Sequence, residues 1–428
     1  MTIFKKAKVL AVAAGVAMAI SPTITTATEG YFAHGWGARH SALAGAGIAN
    51  VTDASGQAHN PAGLVNVEGS ELNLAISLFN PNRAYEASGG PGFAAYGRVE
   101  SGKNLHLVPN VAYSSSIDED SAWGITFYGN GGMNTQYPAF DRPAPDCPPS
   151  PVGGNGVYCA GALGVDLLQA FLSVTYASKI GDFSWGISPV VAFQAFEARG
   201  LGAFAGFSSD PANFTNNSHD TSTGFGAKIG LGYKVSDALD IAVSYQSKID
   251  MGELEDYAGL FADGGDFDIP SNLTIGVAFH ADEDLTFMLD WKQINYTDAG
   301  SVSNSGAEQV PFGFPGGPGF GWDDVTAIKL AVEWQTSETM TWRFGYAEND
   351  NPIGPEDVAL NILAPGVVTT HFSTGFELDL GEGDAFEFAF TYVPSEEVTG
   401  YGMAMNNDVI TLEMDQMIMG FSWTINMD

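Results

Sequence analysis

From residue 71 onward the chain alternates greasy residues with small or polar ones, over and over, in segments of about ten residues. Leu273, Ile275, Val277 and Phe279 are separated by Thr274, Gly276 and Ala278. Met340, Trp342, Phe344 and Tyr346 are separated by Thr341, Arg343 and Gly345, and Phe386, Phe388, Phe390 and Tyr392 by Glu387, Ala389 and Thr391. Successive side chains of a strand point to opposite faces, so each segment reads as a strand with one apolar and one small or polar face.

About fourteen such strands are predicted, near 72–79, 104–115, 121–130, 166–179, 183–196, 222–235, 238–251, 270–282, 285–296, 325–336, 339–348, 367–379, 384–394 and 409–427. Their connections alternate between long and short. IDED, KIGD, VSDA, DED, TSE and GEGD are short; 80–103, 131–165, 197–221, 252–269, 297–324, 349–366 and 395–408 are long. Short turns at one rim, long loops at the other and an even strand number describe an outer-membrane β-barrel. Strands of this length suit tilted bilayer crossing, and Trp123, Trp185, Tyr233, Trp334 and Trp423 near strand ends fit an aromatic girdle. The fold class expected is therefore all-β: a transmembrane antiparallel barrel over residues 71–428.

Lys5, Lys6 and Lys8 precede an apolar run from Val9 to Ile20, and Thr25-x-Ala27 offers a small-residue cleavage site, so residues 1–27 read as an export signal peptide. That run is too short to span a bilayer as a helix, and no later stretch of about twenty apolar residues replaces it. Only 15% of residues are charged, and the net charge of −34 leaves no basic footprint for nucleic acid. Cys147 and Cys159 lie in the Pro/Gly-rich segment DRPAPDCPPSPVGGNGVYCAG, where an exported protein would close a loop with a disulfide.

Residues 28–70 do not alternate; they are rich in Gly and Ala and stand before the first strand on the periplasmic side. Such a segment is placed to fold back into the lumen as a plug against small residues such as Gly226, Gly230, Gly276 and Gly345.

Several segments, in order, resemble the FadL/TodX-type channels for long-chain fatty acids and aromatic hydrocarbons. The most specific is SALAGAGIANVTDASGQAHNPAGL, where Gly45, Gly47 and the Asn60-Pro61-Ala62 triplet look like that family's hatch motif; LVPNVAY, DIPSNLTIGVAF, TWRFGYAENDNPI and APGVVTTHFSTGFELDL follow. The resemblance implies a fourteen-stranded barrel with an N-terminal hatch at 28–70, passing hydrophobic molecules without an energy source. It also implies an apolar groove between extracellular loops and a lateral exit where the third strand kinks. Gly129, Gly131 and Gly132 are the candidate kink here, or simply the glycine-rich start of a loop.

No catalytic or metal-ligand motif such as GxSxG or HExxH occurs, so no enzyme activity, cofactor or metal is expected. His371 is predicted on the lumen face beside possible acid partners. Burying an acyl chain is worth about 0.8 kcal/mol per methylene, roughly 12 kcal/mol for about sixteen. An exposed ion pair adds only about 0–1 kcal/mol. The tail thus supplies affinity and a basic residue orients a carboxylate. Lumen-facing Lys228, Lys292, Lys329 and Arg343 are the candidates; for any single one the favoured reading is instead a salt bridge to Asp290, Glu333 or Glu387 that braces the wall or holds the hatch. The partners expected are a long-chain fatty acid or other hydrophobic small molecule, together with outer-membrane lipid and lipopolysaccharide. A hydrophilic porin is the alternative reading, and a lipid-modifying enzyme a more distant one.

Overall fold

A computed structural model describes residues 29–89, 94–143, 146–147, 154–402 and 408–428; the expected signal peptide lies outside them. Fourteen long strands form one antiparallel sheet: β1 Ser70–Ser88, β2 His106–Asp118, β3 Ser121–Asn134, β4 Gly164–Ile180, β5 Phe183–Arg199, β6 Asp220–Ser236 and β7 Leu239–Gln246. They continue as β8 Asn272–His280, β9 Leu285–Ile294, β10 Val325–Ser337, β11 Met340–Asn349, β12 Thr370–Gly381, β13 Asp384–Tyr401 and β14 Val409–Asn426. Every strand pairs with its neighbours in sequence, and β14 returns to β1, with Glu71 opposite Asn426 and Ser88 opposite Val409. Closure matters because an open edge in lipid would leave a row of backbone donors and acceptors with no water to satisfy them.

The alternation sorts the faces as expected. Val174, Leu289, Leu330, Phe344 and Phe372 are 46–51% exposed on the outside, a surface that only hydrocarbon can cover favourably. Their neighbours Ala331, Ser173 and Asp290 are buried on the inside. Among the described residues no helix is long and apolar enough to cross a membrane. The short rim is built of tight turns, and at the β12–β13 turn Glu382 and Gly383 have φ of 58° and 84°, the paired positive values a type I′ hairpin requires.

Three strands, β1, β7 and β13, depart from their expected limits by five residues or more. β1 runs on past Phe79 to Ser88 through Pro81, its upper half paired with β14 on one side and, over Ala84–Ala87 only, with the short strand Gly97–Glu100 on the other; β2 stops opposing it at Phe79–His106, so Pro81 interrupts no ladder on that side. β13 likewise extends to Tyr401 on β14. β7 ends at Gln246 and β8 begins at Asn272, because the chain turns inward after Gln246 and buries Ile249 against Ile269. In the long loop after β3, the sulfurs of Cys147 and Cys159 are bonded, with their Cα atoms 5.7 Å apart.

Candidate functional site

The lumen is occupied by the segment from Glu29 to Gly69, which folds as a short helix α1 (Gly37–Ala42) and two 3₁₀ turns, Ala54–Ala58 and Pro61–Asn66. Small residues let it approach the wall: Ala38 and Ala42 of α1 pack on Ala389. Its polar contacts reach strands all round the ring. The Ala38 amide donates to Ser422 Oγ (2.8 Å), Gly47 to Asp290 (2.8 Å) and the Trp36 indole to the Gly129 carbonyl (2.7 Å), while Ser244 Oγ donates to the His59 carbonyl (2.7 Å). Asn60 is the N-cap of the second turn: its Oδ1 accepts from Ala62 N (3.1 Å), Pro61 fills the first helical position, and its Nδ2 donates to the Ile48 carbonyl (2.9 Å). A Cβ on Gly45 would fall 1.8 Å from the His34 carbonyl oxygen, so the chain can cross itself there only as glycine. Gly230, Gly276 and Gly345 receive Asn60, Ile48 and Ala44; Gly226 instead faces Ser247 and Ile249 of the wall.

The structure divides the four lumen cations. Arg343 is buried and bonded to three carboxylates, Glu333 (2.6 Å), Glu387 (3.0 Å) and Glu377, while Arg39 of α1 reaches Glu333 at 3.1 Å. Lys292 and Lys329 converge on Glu29, at 2.6 and 2.5 Å. Asp290 pairs with none of them; one of its oxygens accepts from the amides of Gly47 and Ile48. Among the described residues Lys228 has no carboxylate partner: its ammonium donates to the Ala58 carbonyl and sits 4.9 Å from the Trp36 ring centroid. His371, expected beside acids, stacks on the imidazole of His34 at 4.6 Å, because the N-terminal segment lays His34 over it.

The wall parts between β2 and β3. Their pairing runs from Asp118–Ser121 to Asn110–Tyr128 and stops there. At Gly129–Gly131 the register of β3 on β4 slips, and above this point β3 pairs with β4 on one side only. The place left by β2 is taken from inside by the N-terminal segment: Ala33 N donates to the Asn130 carbonyl (2.8 Å) and Gly132 N to the Tyr31 carbonyl (3.0 Å). A Cβ on Gly131 would lie 1.9 Å from that Tyr31 oxygen, so glycine is what admits the approach. Arg83, 6% exposed, reaches from β1 to the carbonyls of Lys103 and Asn134.

One apolar cluster runs from the long loops, through Phe196, Phe204, Phe261, Phe320 and Leu363, down to Trp322, Tyr296, Tyr31 and Phe32. Tyr31 touches Tyr296 and Trp322 with ring centroids 5.3 and 5.8 Å away. The cleft among Phe204, Phe214, Phe261 and Phe312 encloses about 30 Å³, room for a water or two.

Residues 11–415 match the family model for outer membrane protein transport proteins, OMPP1/FadL/TodX. The chain belongs to this family. Solved structures give the same barrel. The Pseudomonas putida toluene transporter TodX is similar with a TM-score of 0.66 at 17% identity, covering 92% of this chain and 99% of that one. A Pseudomonas aeruginosa FadL homologue is similar with 0.68 at 14%, covering 93% and 100%, and the Ralstonia pickettii toluene transporter TbuX with 0.61 at 15%, covering 91% and 98%. None of the curated proteins compared matches the sequence. As a member of this family the chain is an outer-membrane β-barrel for hydrophobic substrates. The residues missed in the sequence were Glu29, Tyr31–Ala33 and Arg83, none of which stands in a periodic segment or a recognisable motif.

The segment's histidines give it a pH dependence. Burial, with the Lys329 and Lys292 charges nearby, lowers His34 to about 4 against the opposing pull of Glu29. Burial beside Arg39 and Arg343, opposed by Asp53 and Glu333, lowers His40 to about 3, and His40 stacks on His59 at 3.9 Å. These groups are neutral when packed and take up a proton near pH 6.5 when released. Their packing is thus fully favourable above that pH and weakens as pH falls toward 4, by up to about 1.4 kcal/mol per histidine per pH unit. Protease cleavage within residues 29–69 of the inserted protein is expected to accelerate between pH 7 and pH 4.5; an unchanged or slower rate, with the protease controlled on an unfolded substrate, contradicts this.

Proposed function

We propose that this chain is a passive outer-membrane channel for long-chain fatty acids or related hydrocarbons, gated by a hatch made of its N-terminal segment. Molecules enter the apolar cleft between the long loops, move along the aromatic cluster toward Tyr31 and Phe32, and leave sideways between β2 and β3 at Gly129, Gly131 and Gly132. The observation that carries this reading is the continuity of one apolar cluster from the loops to the residues that fill the gap beside β3. Toluene, named as cargo for two of the similar proteins, belongs to the same broad class. Gly45, Gly47 and the Asn60-Pro61-Ala62 turn shape the hatch, and its displacement opens the path. Lys228, held by a carbonyl and an indole face rather than a carboxylate, remains available to a passing head group.

The cleft is closed on its own side chains, so passage needs those side chains and the hatch to move. The test is transport in proteoliposomes. Full-length protein is expected to pass a labelled sixteen-carbon fatty acid or toluene to an internal trap faster than protein-free vesicles, while small sugars produce no swelling. Rapid swelling with sugars, or no gain in hydrophobic flux, overturns the reading in favour of a hydrophilic porin or of another activity.

A further inference from the structure

The segment Glu29-Gly30-Tyr31-Phe32 presents a carboxylate followed by two aromatic rings, and the lumen treats it as one amphipathic unit. Glu29 is fully buried, with Oε2 at 2.6 Å from Lys292 Nζ and Oε1 at 2.5 Å from Lys329 Nζ. His34 Nδ1 stands 3.5 Å from the same Oε1. Among the described residues no other carboxylate lies within ion-pair distance of either lysine; Asp290, opposite Lys329 on the neighbouring strand, has Oδ2 on the Gly47 and Ile48 amides. The two rings that follow pack into the aromatic cluster with Tyr296 and Trp322. The same four residues lead into the backbone that fills the gap beside β3.

We propose that Lys292 and Lys329 form a carboxylate-binding pair that Glu29 occupies in the closed state, and that an anionic amphiphile with an apolar tail competes with Glu29 for it. The ligand's carboxylate takes the two ammonium groups and its tail takes the space of Tyr31 and Phe32. This rests on the channel reading above and adds a substrate class and a trigger. Two carboxylates cannot hold the same lysines, so a bound acid frees the first residues of the segment from β3, while an uncharged hydrocarbon gains nothing at this pair. A tethered competitor acts at an effective concentration of roughly millimolar, so removing it raises the apparent affinity of any free carboxylate by a large factor.

The experiment compares hexadecanoate with hexadecan-1-ol, equal in tail and different in charge, binding at pH 8 to the purified mature chain and to its Glu29→Gln and Glu29→Asp variants. Glu29→Gln is expected to bind hexadecanoate about ten-fold or more tightly than wild type, with hexadecanol unchanged and Glu29→Asp close to wild type. No gain for hexadecanoate, or an equal gain for both ligands, overturns the proposal. Should Glu29→Gln not give a heat-resistant barrel, wild type decides: hexadecanoate but not hexadecanol must speed protease cleavage within residues 29–36, and equal effects overturn it. If neither ligand binds any of the proteins, the channel reading fails and takes this inference with it. If hexadecanol binds while the acid gains nothing from Glu29→Gln, only this inference fails.

Discussion

Deleting residues 29–69 behind an intact export signal is expected to leave an inserted, heat-resistant barrel that leaks small polar solutes and has lost selective uptake of hydrophobic molecules. The barrel survives because its closure depends on strand ladders, from β1 on β14 round to β13 on β14, which this segment joins only at the gap beside β3 through Tyr31–Ala33. The segment cannot survive apart from the barrel. Some forty residues are too few to bury a core of their own, and its buried side chains find their partners on the wall. Once it is gone, water enters, and the wall carboxylates and ammonium groups that it had covered are solvated rather than stranded. The measurement is liposome swelling with sugars, alongside uptake of a labelled fatty acid. Unchanged sugar permeability means that residues 29–69 do not plug the barrel, and the hatch mechanism falls with them. Asn60→Ala is the graded version: it removes a helix cap worth about 1 kcal/mol, loosening the second turn and slowing uptake with little effect on insertion.

Arg343→Met is expected to cost about 3–5 kcal/mol, the largest effect of any single substitution considered. The guanidinium is 3% exposed and serves Glu333, Glu377 and Glu387 at once; without it, among the described residues, Glu387, itself 3% exposed, loses its one ion-pair partner and Glu333 keeps Arg39 alone. Leaving buried carboxylates unpaired is far worse than never having paired them. Adding Glu387→Gln to Arg343→Met should therefore recover part of the loss, which a simple packing defect would not allow. The urea midpoint of the refolded barrel is the readout. A shift corresponding to less than about 1 kcal/mol, or no recovery in the double variant, shows that the cluster does not hold α1 to the wall.

How far the sequence reaches can be followed along single strands. On β9 the alternation of Leu285, Phe287, Leu289 and Trp291 with Thr286, Met288, Asp290 and Lys292 already assigns faces, and the structure keeps Leu289 outside and Asp290 and Lys292 inside. The same residues mark the limit: nothing in the run reveals that Asp290 turns to the Gly47 and Ile48 amides while Lys292 turns to Glu29. Where alternation fails, boundaries fail with it. Pro81 hid the upper half of β1, and an apparently continuous pattern to residue 251 concealed the inward turn after Gln246.

By itself the sequence determined the barrel, its strand number, which face of each strand meets lipid and which rim carries the long loops. Those features follow from a period of two and from the rule that no backbone group may be left unpaired in hydrocarbon, both of which act locally along each strand. Only the tertiary structure decided the course of residues 29–69 through the lumen, the partners of the buried lysines, the stacking of His34 on His371 and the filling of the gap beside β3 by Tyr31–Ala33. The physical reason is range. Glu29 and Lys292 stand 263 positions apart, and their contact is made by irregular chain whose course is set by the cavity that receives it, so no periodicity in either segment encodes it.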